Sequence, residues 1–521
     1  MQPYKRNAFV YSTIVALGGF VFGLDAAVIS GTVRFITQEF SLSDLQVGTA
    51  VSAPGLGVLF ALPLAGYISN KFGRKKALQI VAALYLVSAV CSALAPSFVA
   101  LVAARFLGGL AFCSLSLASM YIGEIAPPKW RGKLVSMNQM NIVIGLSAAY
   151  FVNYLIVQAS ASGATWVDTL GISKYTWRWM LGSEIIPALA WFGLLFIIPR
   201  SPSWLVYSNR IEEAKNSLRK IYPENEIAHQ IQEMKDSMGS SKADESMLSQ
   251  LKEILGKPMR TTLIIGATIA IVQQTTGINA ILFYAPTVFE QLGIGTDAAF
   301  MQTIWVGLTG LVFTALGLLL IDKIGRRQLT IWGLVWIMLS LGLCSYGFMV
   351  ARYKLSEKNI TELIEIPNAE RLLKIAGTEF ASDTEYKNAL KEVLGETDAR
   401  DHSSVLLQKA AKLNPTLILT GILSFIAAFH FSVGPVLWVL LSEIFPISLR
   451  GIAIPMFALI TSITSYIVQQ FFPWQLTNMG GAYIFLFYAI LVFVGLVVLY
   501  RYLPETKNLT IEEIQLKLKN Q

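Results

Sequence analysis

Four ionisable side chains fall where a charge is expensive. Asp25, Arg105, Glu184 and His430 each lie inside a long apolar stretch, and an ionisable group within a membrane-crossing helix costs several kcal/mol unless it faces a cavity or a partner. Asp25 follows Gly18, Gly19 and Gly23 and precedes Gly31, and glycines of this kind let helices approach closely. An aspartate and an arginine on different helices attract while the acid is ionised and release when it is protonated. Asp25 with Arg105 therefore has the makings of a proton switch, with a static salt bridge as the competing reading. Glu184 reads as a second proton site or as a hydrogen-bonding partner near a pore mouth, and His430 as a satisfied core histidine.

A second group is uncharged. Gln273, Gln274 and Asn279 flank Gly277, a residue suited to a break in a helix, while Gln139 and Trp438 sit in other apolar stretches. Amides donate and accept at once, and an aromatic face covers the C–H surface of a ring, so together these residues fit a midplane pocket for a polyhydroxylated solute.

The elements that must position them are membrane spans. The chain is 54% hydrophobic and only 14% charged, well below the quarter charged of a soluble domain. Apolar stretches long enough to cross a bilayer as helices fall near 8–32, 47–69, 77–96, 98–123, 134–158, 178–199, 259–290, 298–321, 329–351, 415–441, 451–473 and 480–503. The first is too long for a signal peptide and lacks a convincing cleavage site. The expected fold is an all-α membrane protein of twelve transmembrane helices. Cys91, Cys113 and Cys344 all fall within spans and read as packing residues rather than a disulfide framework.

The net charge of +8 does not call for nucleic acid. Lys71, Arg74, Lys75, Lys76, Lys129, Arg131, Lys133, Lys323, Arg326, Arg327 and Arg450 cluster in short loops of one side, which the positive-inside rule assigns to the cytoplasm together with both termini.

An internal repeat divides the chain. Glu124 to Gly132 and Glu443 to Gly451 share E-x-x-P-x-x-x-R-G, and Gly73-Arg74-Lys75 matches Gly325-Arg326-Arg327. This gives six-helix halves at 1–199 and 259–503, a linker of short cytoplasmic helices at 200–258 expected to brace them, and a tail at 504–521. Gly73 and Glu124 are 51 residues apart but Gly325 and Glu443 are 118 apart, which locates a polar insertion at 352–414, on the extracytoplasmic side, with an amphipathic helix from Thr384.

At these residues the chain resembles the sugar porter family of the major facilitator superfamily, and most closely its bacterial xylose–proton symporters. The motifs are the two Gly-Arg-basic turns, the paired E-x-x-P-x-x-x-R-G segments, Gln273-Gln274 with Gly277 and Asn279, Gly434-Pro435 with Trp438, and Pro504-Glu-Thr-Lys507. The resemblance implies import of a monosaccharide with a proton by alternating access. It makes Asp25 the proton acceptor with Arg105 as partner and Glu184 nearby, and makes Gln139, Gln273, Gln274, Asn279 and Trp438 sugar ligands. Tyr284 belongs to the outer gate. Arg74, Glu124, Arg131, Arg326, Glu443 and Arg450 form cytoplasmic ion pairs that close the inner side of the outward-facing state. The pattern departs at Leu146, Gly310 and Thr461-Ser462, where pocket amides are usual, and at Arg200 and Ser203, where an acid and an arginine are usual. A passive sugar or polyol carrier and a non-transporting sensor are the alternatives. No nucleophile–base arrangement and no metal-ligand cluster is present, so the expectation is a protein that is not an enzyme. It needs no cofactor beyond the coupling proton, binds no metal, and functions as a monomer in the plasma membrane.

Overall fold

A computed structural model describes residues 3–126, 130–239, 247–363, 366–446, 448–509 and 511–519. Eleven of its helices are long and apolar enough to cross a membrane. They are span 1 (Pro3–Phe40), span 2 (Asp44–Phe72), span 3 (Arg74–Ala93), span 4 (Phe98–Ile125), span 5 (Arg131–Ser160), span 7 (Lys257–Phe283), span 8 (Thr296–Ile324), span 9 (Arg326–Met349), span 10 (Pro415–Ile444), span 11 (Arg450–Asn478) and span 12 (Gly480–Tyr502).

Span 6 is the exception to the sequence expectation. The stretch at 178–199 is not one helix but two short ones, Thr176–Gly182 and Ile185–Leu194. Pro187 accounts for the break, because it has no N–H to give the Ser183 carbonyl and its ring crowds that carbonyl. Glu184 stands at the interruption.

Where backbones must approach, glycine permits it. A Cβ on Gly145 would lie 2.1 Å from the Phe20 carbonyl oxygen, and one on Gly23 1.9 Å from the Ile142 oxygen. Spans 1 and 5 therefore cross main chain to main chain. Asn141 and Asn153 of span 5 secure the crossing by donating to the Ala16 and Val28 carbonyls at 2.9 and 3.1 Å.

Two faces follow from the chain path. The basic face carries the linker and tail, and the opposite insertion face carries residues 352–414. Span 2 packs on span 11, span 5 on span 8, and span 1 on the extension of span 7 (Ala285–Glu290). On the insertion face one apolar core runs through both halves, including Val33, Leu42, Val47, Trp177, Ile281, Tyr284, Phe289 and Phe472. On the basic face the first half has a separate core of its own, built from Ala77, Tyr121, Ile125 and Trp191 with Trp204, Leu218 and Ile227 of the linker. The halves are thus joined at the insertion face and packed independently at the basic face. The linker does not stay with one half. Pro202–Tyr207 and Ile211–Leu218 belong to the first core, whereas Met247–Ile254 reaches span 11.

The insertion adds what hydropathy alone did not suggest, a small antiparallel sheet. Its strands β1 (Arg352–Lys354), β2 (Glu379–Phe380) and β3 (Ala411–Lys412) are ordered β2-β1-β3. Its own core is built on Tyr353, Leu372, Tyr386, Leu390 and Leu406, and the expected amphipathic helix is Asp383–Leu394.

Replacing Gly145 by Ala should force spans 1 and 5 apart and cost about 1–3 kcal/mol. Gly123→Ala, where a Cβ meets nothing within 4 Å, should leave stability unchanged or slightly raised. Thermal unfolding in detergent compares the two, and equal midpoints would contradict the backbone contact.

Candidate functional site

Asp25 and Arg105 form an ion pair at the centre of the first half, with side chains only 1% and 2% exposed. The Arg105 Nη1 donates to Asp25 Oδ1, and Nη2 reaches the Asp25 main-chain oxygen at 3.4 Å. The glycines of span 1 pack against spans 5 and 6, and span 4 supplies the one beside the pair. Gly108 of span 4 stands so close that a Cβ there would be 2.6 Å from Ser88 Oγ and 3.7 Å from Asp25 Oδ2. Glu184, delivered by the break in span 6, is buried within electrostatic reach of both Asp25 and Arg105. Asp25 Oδ2, Glu184 Oε1 and Arg105 Nε are buried without hydrogen-bond partners. Two carboxyls and one guanidinium sealed from water carry a net charge of −1 when both acids are ionised, and a single proton shared between the acids removes it.

The amide cluster sits on span 7, which is broken twice. Gly277 adopts φ 82°, a left-handed conformation that only glycine takes without strain, and its Cα faces the Tyr488 ring at a distance that leaves no room for a side chain. The break turns Asn279 back toward Gln274, so that Asn279 Nδ2 donates to Gln274 Oε1 and to Ser465 Oγ, both at 2.7 Å. Gln274 Nε2 in turn donates to Gln273 Oε1 at 3.1 Å, and Gln273 Nε2 reaches the Val433 and Gly434 carbonyls at 3.3 Å. Val433 and Gly434 open the second segment of span 10, which starts after an interruption at Ser432 (φ −121°, ψ −90°), ahead of Pro435. The structure therefore brings Gln273, Gln274 and Asn279 together. Gln139 and Trp438 stand apart from that network. Gln139 is half-buried with no partner among the described residues, and Trp438 is 43% exposed.

Tyr284 lies at the second break of span 7 and is buried under Phe472, with ring centroids 5.2 Å apart. Its hydroxyl donates at 2.9 Å to the Gln469 carbonyl, which Pro473 four residues later leaves without its helical partner. Pro286 frees the Leu282 carbonyl in the same way, and Tyr150 of span 5 takes it at 2.6 Å. Both bonds close the insertion-face side of the amide cluster.

His430 is less satisfied than a core histidine usually is. Nδ1 lies 3.0 Å from Thr314 Oγ1, but Nε2 has no partner. The ring fills the space over Gly310, where a Cβ would meet Nε2 at 3.2 Å.

At the basic face one arrangement occurs twice. Arg74 Nε donates to Glu124 Oε1 at 2.8 Å while Ser201 Oγ donates to Glu124 Oε2. Arg326 Nη2 lies 2.9 Å from Glu443 Oε1 while Thr506 Oγ1 donates to Glu443 Oε2 at 2.6 Å. Each pair stays within its own half, so neither bridges the halves in this conformation. Arg450 donates to the Phe445 carbonyl at 3.0 Å instead of joining a carboxylate. The Arg131 side chain, with Pro127, Pro128 and Lys129 of the first motif, lies outside the described residues.

Sequence reasoning missed the contribution of span 11. Ser465 accepts from Asn279 and, at 2.7 Å, from Gln469 Nε2, while Gln470 Nε2 donates to Leu45 O and Thr49 Oγ1 across the halves at 2.9 and 3.1 Å. The signal was present, since Thr461, Ser465 and Gln469 recur every four residues and so share a helix face.

Comparison with known proteins places this geometry. The family described as "Sugar (and other) transporter" matches residues 11–364 and 402–518, leaving 365–401 of the insertion outside. The arabinose–proton symporter of Bacillus subtilis (strain 168) is 31% identical over 505 residues, covering 97% of this chain and 93% of that protein. The D-xylose–proton symporter of Escherichia coli (strain K12) is 32% identical over 551 aligned positions, covering 99% and 97%. Among solved structures, the inward open conformation of the xylose transporter XylE from E. coli superposes with a TM-score of 0.73 at 30% identity, covering 98% of this chain and 99% of that one. On its motifs, its helices and this match over nearly its whole length, the chain belongs to the Sugar (and other) transporter family.

Proposed function

We propose that this protein is a secondary active transporter of the plasma membrane that carries a monosaccharide together with a proton by alternating access. The basic face and both termini are cytoplasmic in this reading, and the insertion is outside. The observation that carries the proton coupling is the sealed trio of Asp25, Arg105 and Glu184. Its uncompensated charge of −1 when both acids are ionised favours uptake of one proton, and the proton weakens the hold of Arg105 on Asp25. Span 1, which carries Asp25, also packs on the span 7 extension just beyond the amide cluster. A proton at Asp25 and a sugar at Gln273, Gln274 and Asn279 therefore bias the same rocking equilibrium of the two halves, and two ligands that bias one equilibrium are coupled.

The names of the relatives support the solute class, and the amides support its chemistry. Gln139 and Trp438, left free in this conformation, complete the ring of sugar contacts when the halves close on the solute. Tyr284, held by Gln469 and Phe472, shuts the outer side, so the conformation described is the inward-facing one. In it, the Arg74–Glu124 and Arg326–Glu443 pairs are disengaged from the opposite half, as the released form of an inner lock requires.

Asp25→Asn removes the exchangeable charge while keeping the side chain's size. In proteoliposomes with an imposed pH gradient, the wild-type protein should concentrate labelled xylose or arabinose above the outside level. The variant should reach an inside-to-outside ratio of about 1 while still exchanging sugar. Uphill accumulation by the variant at the wild-type level would sink the proton assignment, and a wild-type protein that only equilibrates sugar would indicate a passive carrier.

Asn279→Ala cuts the link between Gln274 and Ser465 and removes one amide from the pocket. Sugar binding, followed by tryptophan fluorescence quenching, should weaken roughly tenfold, or about 1.4 kcal/mol. Unchanged affinity would place the solute elsewhere.

A further inference from the structure

The insertion is bonded to both halves. It is rooted in the second half, where Asp383 Oδ2 accepts from the Gly481 N–H at 3.3 Å and Lys387 Nζ donates to Gln291 Oε1 at 2.6 Å. From there Glu396–Asp401 leans over the mouth onto the first half. Arg400 Nη1 donates to the Leu42 carbonyl at 2.9 Å, and Gln38 Nε2 donates to the Asp401 carbonyl at 3.3 Å. Leu42 belongs to the short turn between spans 1 and 2, just past the end of span 1 at Phe40. Beneath this bridge lies a cavity of about 400 Å³ whose walls come from both halves, with Arg34, Glu290, Tyr284 and Trp474 among them. The cavity is roofed by Lys387, Lys391 and Arg400, all within the part of the insertion that the family match leaves out.

The geometry points to the insertion as an outer strap, with Arg400 as its gating residue. By tying the Leu42 turn of the first half to the second, the strap stabilises the conformation closed on the insertion face and so sets the balance of the transport cycle. This inference rests on the orientation in the proposed function. The two ties add to the span-to-span contacts of Arg34 with Glu290 and of Gln470 with Leu45, Thr49 and Ser52. All of these must break for the mouth to open. A guanidinium donating to a carbonyl is the stronger of the two ties because its donor is charged. The strap also accounts for the length of the insertion: a segment anchored on spans 7 and 12 has to cross the vestibule to reach spans 1 and 2.

Ser52 reports the opening, since its hydroxyl is buried against Gln470 where spans 2 and 11 meet. The experiment places Ser52→Cys in a Cys91→Ser background, because Cys91 is otherwise exposed, and follows its reaction with a membrane-impermeant maleimide in right-side-out vesicles. Arg400→Ala should raise the labelling rate about tenfold and Gln38→Ala by a smaller factor. Arg400→Lys, which keeps a charged donor, should fall between Arg400→Ala and the parent. Cys113, buried in the separate core of the first half, serves as the control for folding and should stay unlabelled throughout. Labelling at the parent rate in both alanine variants would overturn the strap. So would labelling of Cys113 together with position 52, which would reveal a loss of structure instead of an opened gate. If position 52 reacts only in inverted vesicles, the orientation in the proposed function fails, and the two failures are distinguishable.

Discussion

In hydrocarbon a main-chain carbonyl without a partner has no water to fall back on, and this constraint shapes the whole molecule. Continuous helices meet it locally. The functional region departs from continuity in spans 6, 7, 10 and 11, and each departure releases groups that something else must satisfy. Pro286 and Pro473 release the Leu282 and Gln469 carbonyls, to which the Tyr150 and Tyr284 hydroxyls donate. The repairs are made by side chains from other spans, Tyr284 from within the same half and Tyr150 from the opposite one. The bond from Tyr150 that repairs span 7 thus also holds the halves in one arrangement.

The same constraint explains where the charges sit. Asp25 and Arg105 are tolerated because each is the other's partner, and Gly108 of span 4 leaves room beside the Asp25 carboxylate. Glu184 upsets the balance. It enters through a break that Pro187 imposes, and it leaves the trio one proton short of neutrality. A fully neutral pair would be a structural rivet, whereas an odd carboxyl makes the cluster respond to protonation.

Much of this was legible in the residues. The apolar stretches located the spans because a helix must satisfy its own main chain across a fixed thickness, and the recurrence of E-x-x-P-x-x-x-R-G marked the two halves. The charge pair and the amide cluster stood out because polar groups are costly in lipid. What stayed hidden depends on tertiary contacts. The interruption of span 6 turns on one proline, whose effect hydropathy averages away over a span-length window. Ser465, Gln469 and Gln470 are common helix residues, and their partners are more than 180 positions away for Asn279 and more than 400 for Leu45. The strands of the insertion are two or three residues long, too short for any period to show.

The distribution of weak and strong contacts fits a molecule that must change shape. Within each half, spans cross with glycine against main chain, and such contacts have no intermediate setting because packed backbones are not continuously deformable. Between the halves the insertion face adds contacts of another kind to its shared apolar core and to the close approach of Gly48 to the Gln470 carbonyl. They are single hydrogen bonds and one ion pair, Arg34 to Glu290, each worth little alone and each able to exchange its partner for water when the mouth opens. Rigid halves joined by several replaceable bonds behave as a two-state device whose bias is the sum of small terms. In the proposed cycle a proton at Asp25, a solute at the amides and the ties of the insertion would each contribute one such term, so none of them would need to be strong for the cycle to have a direction.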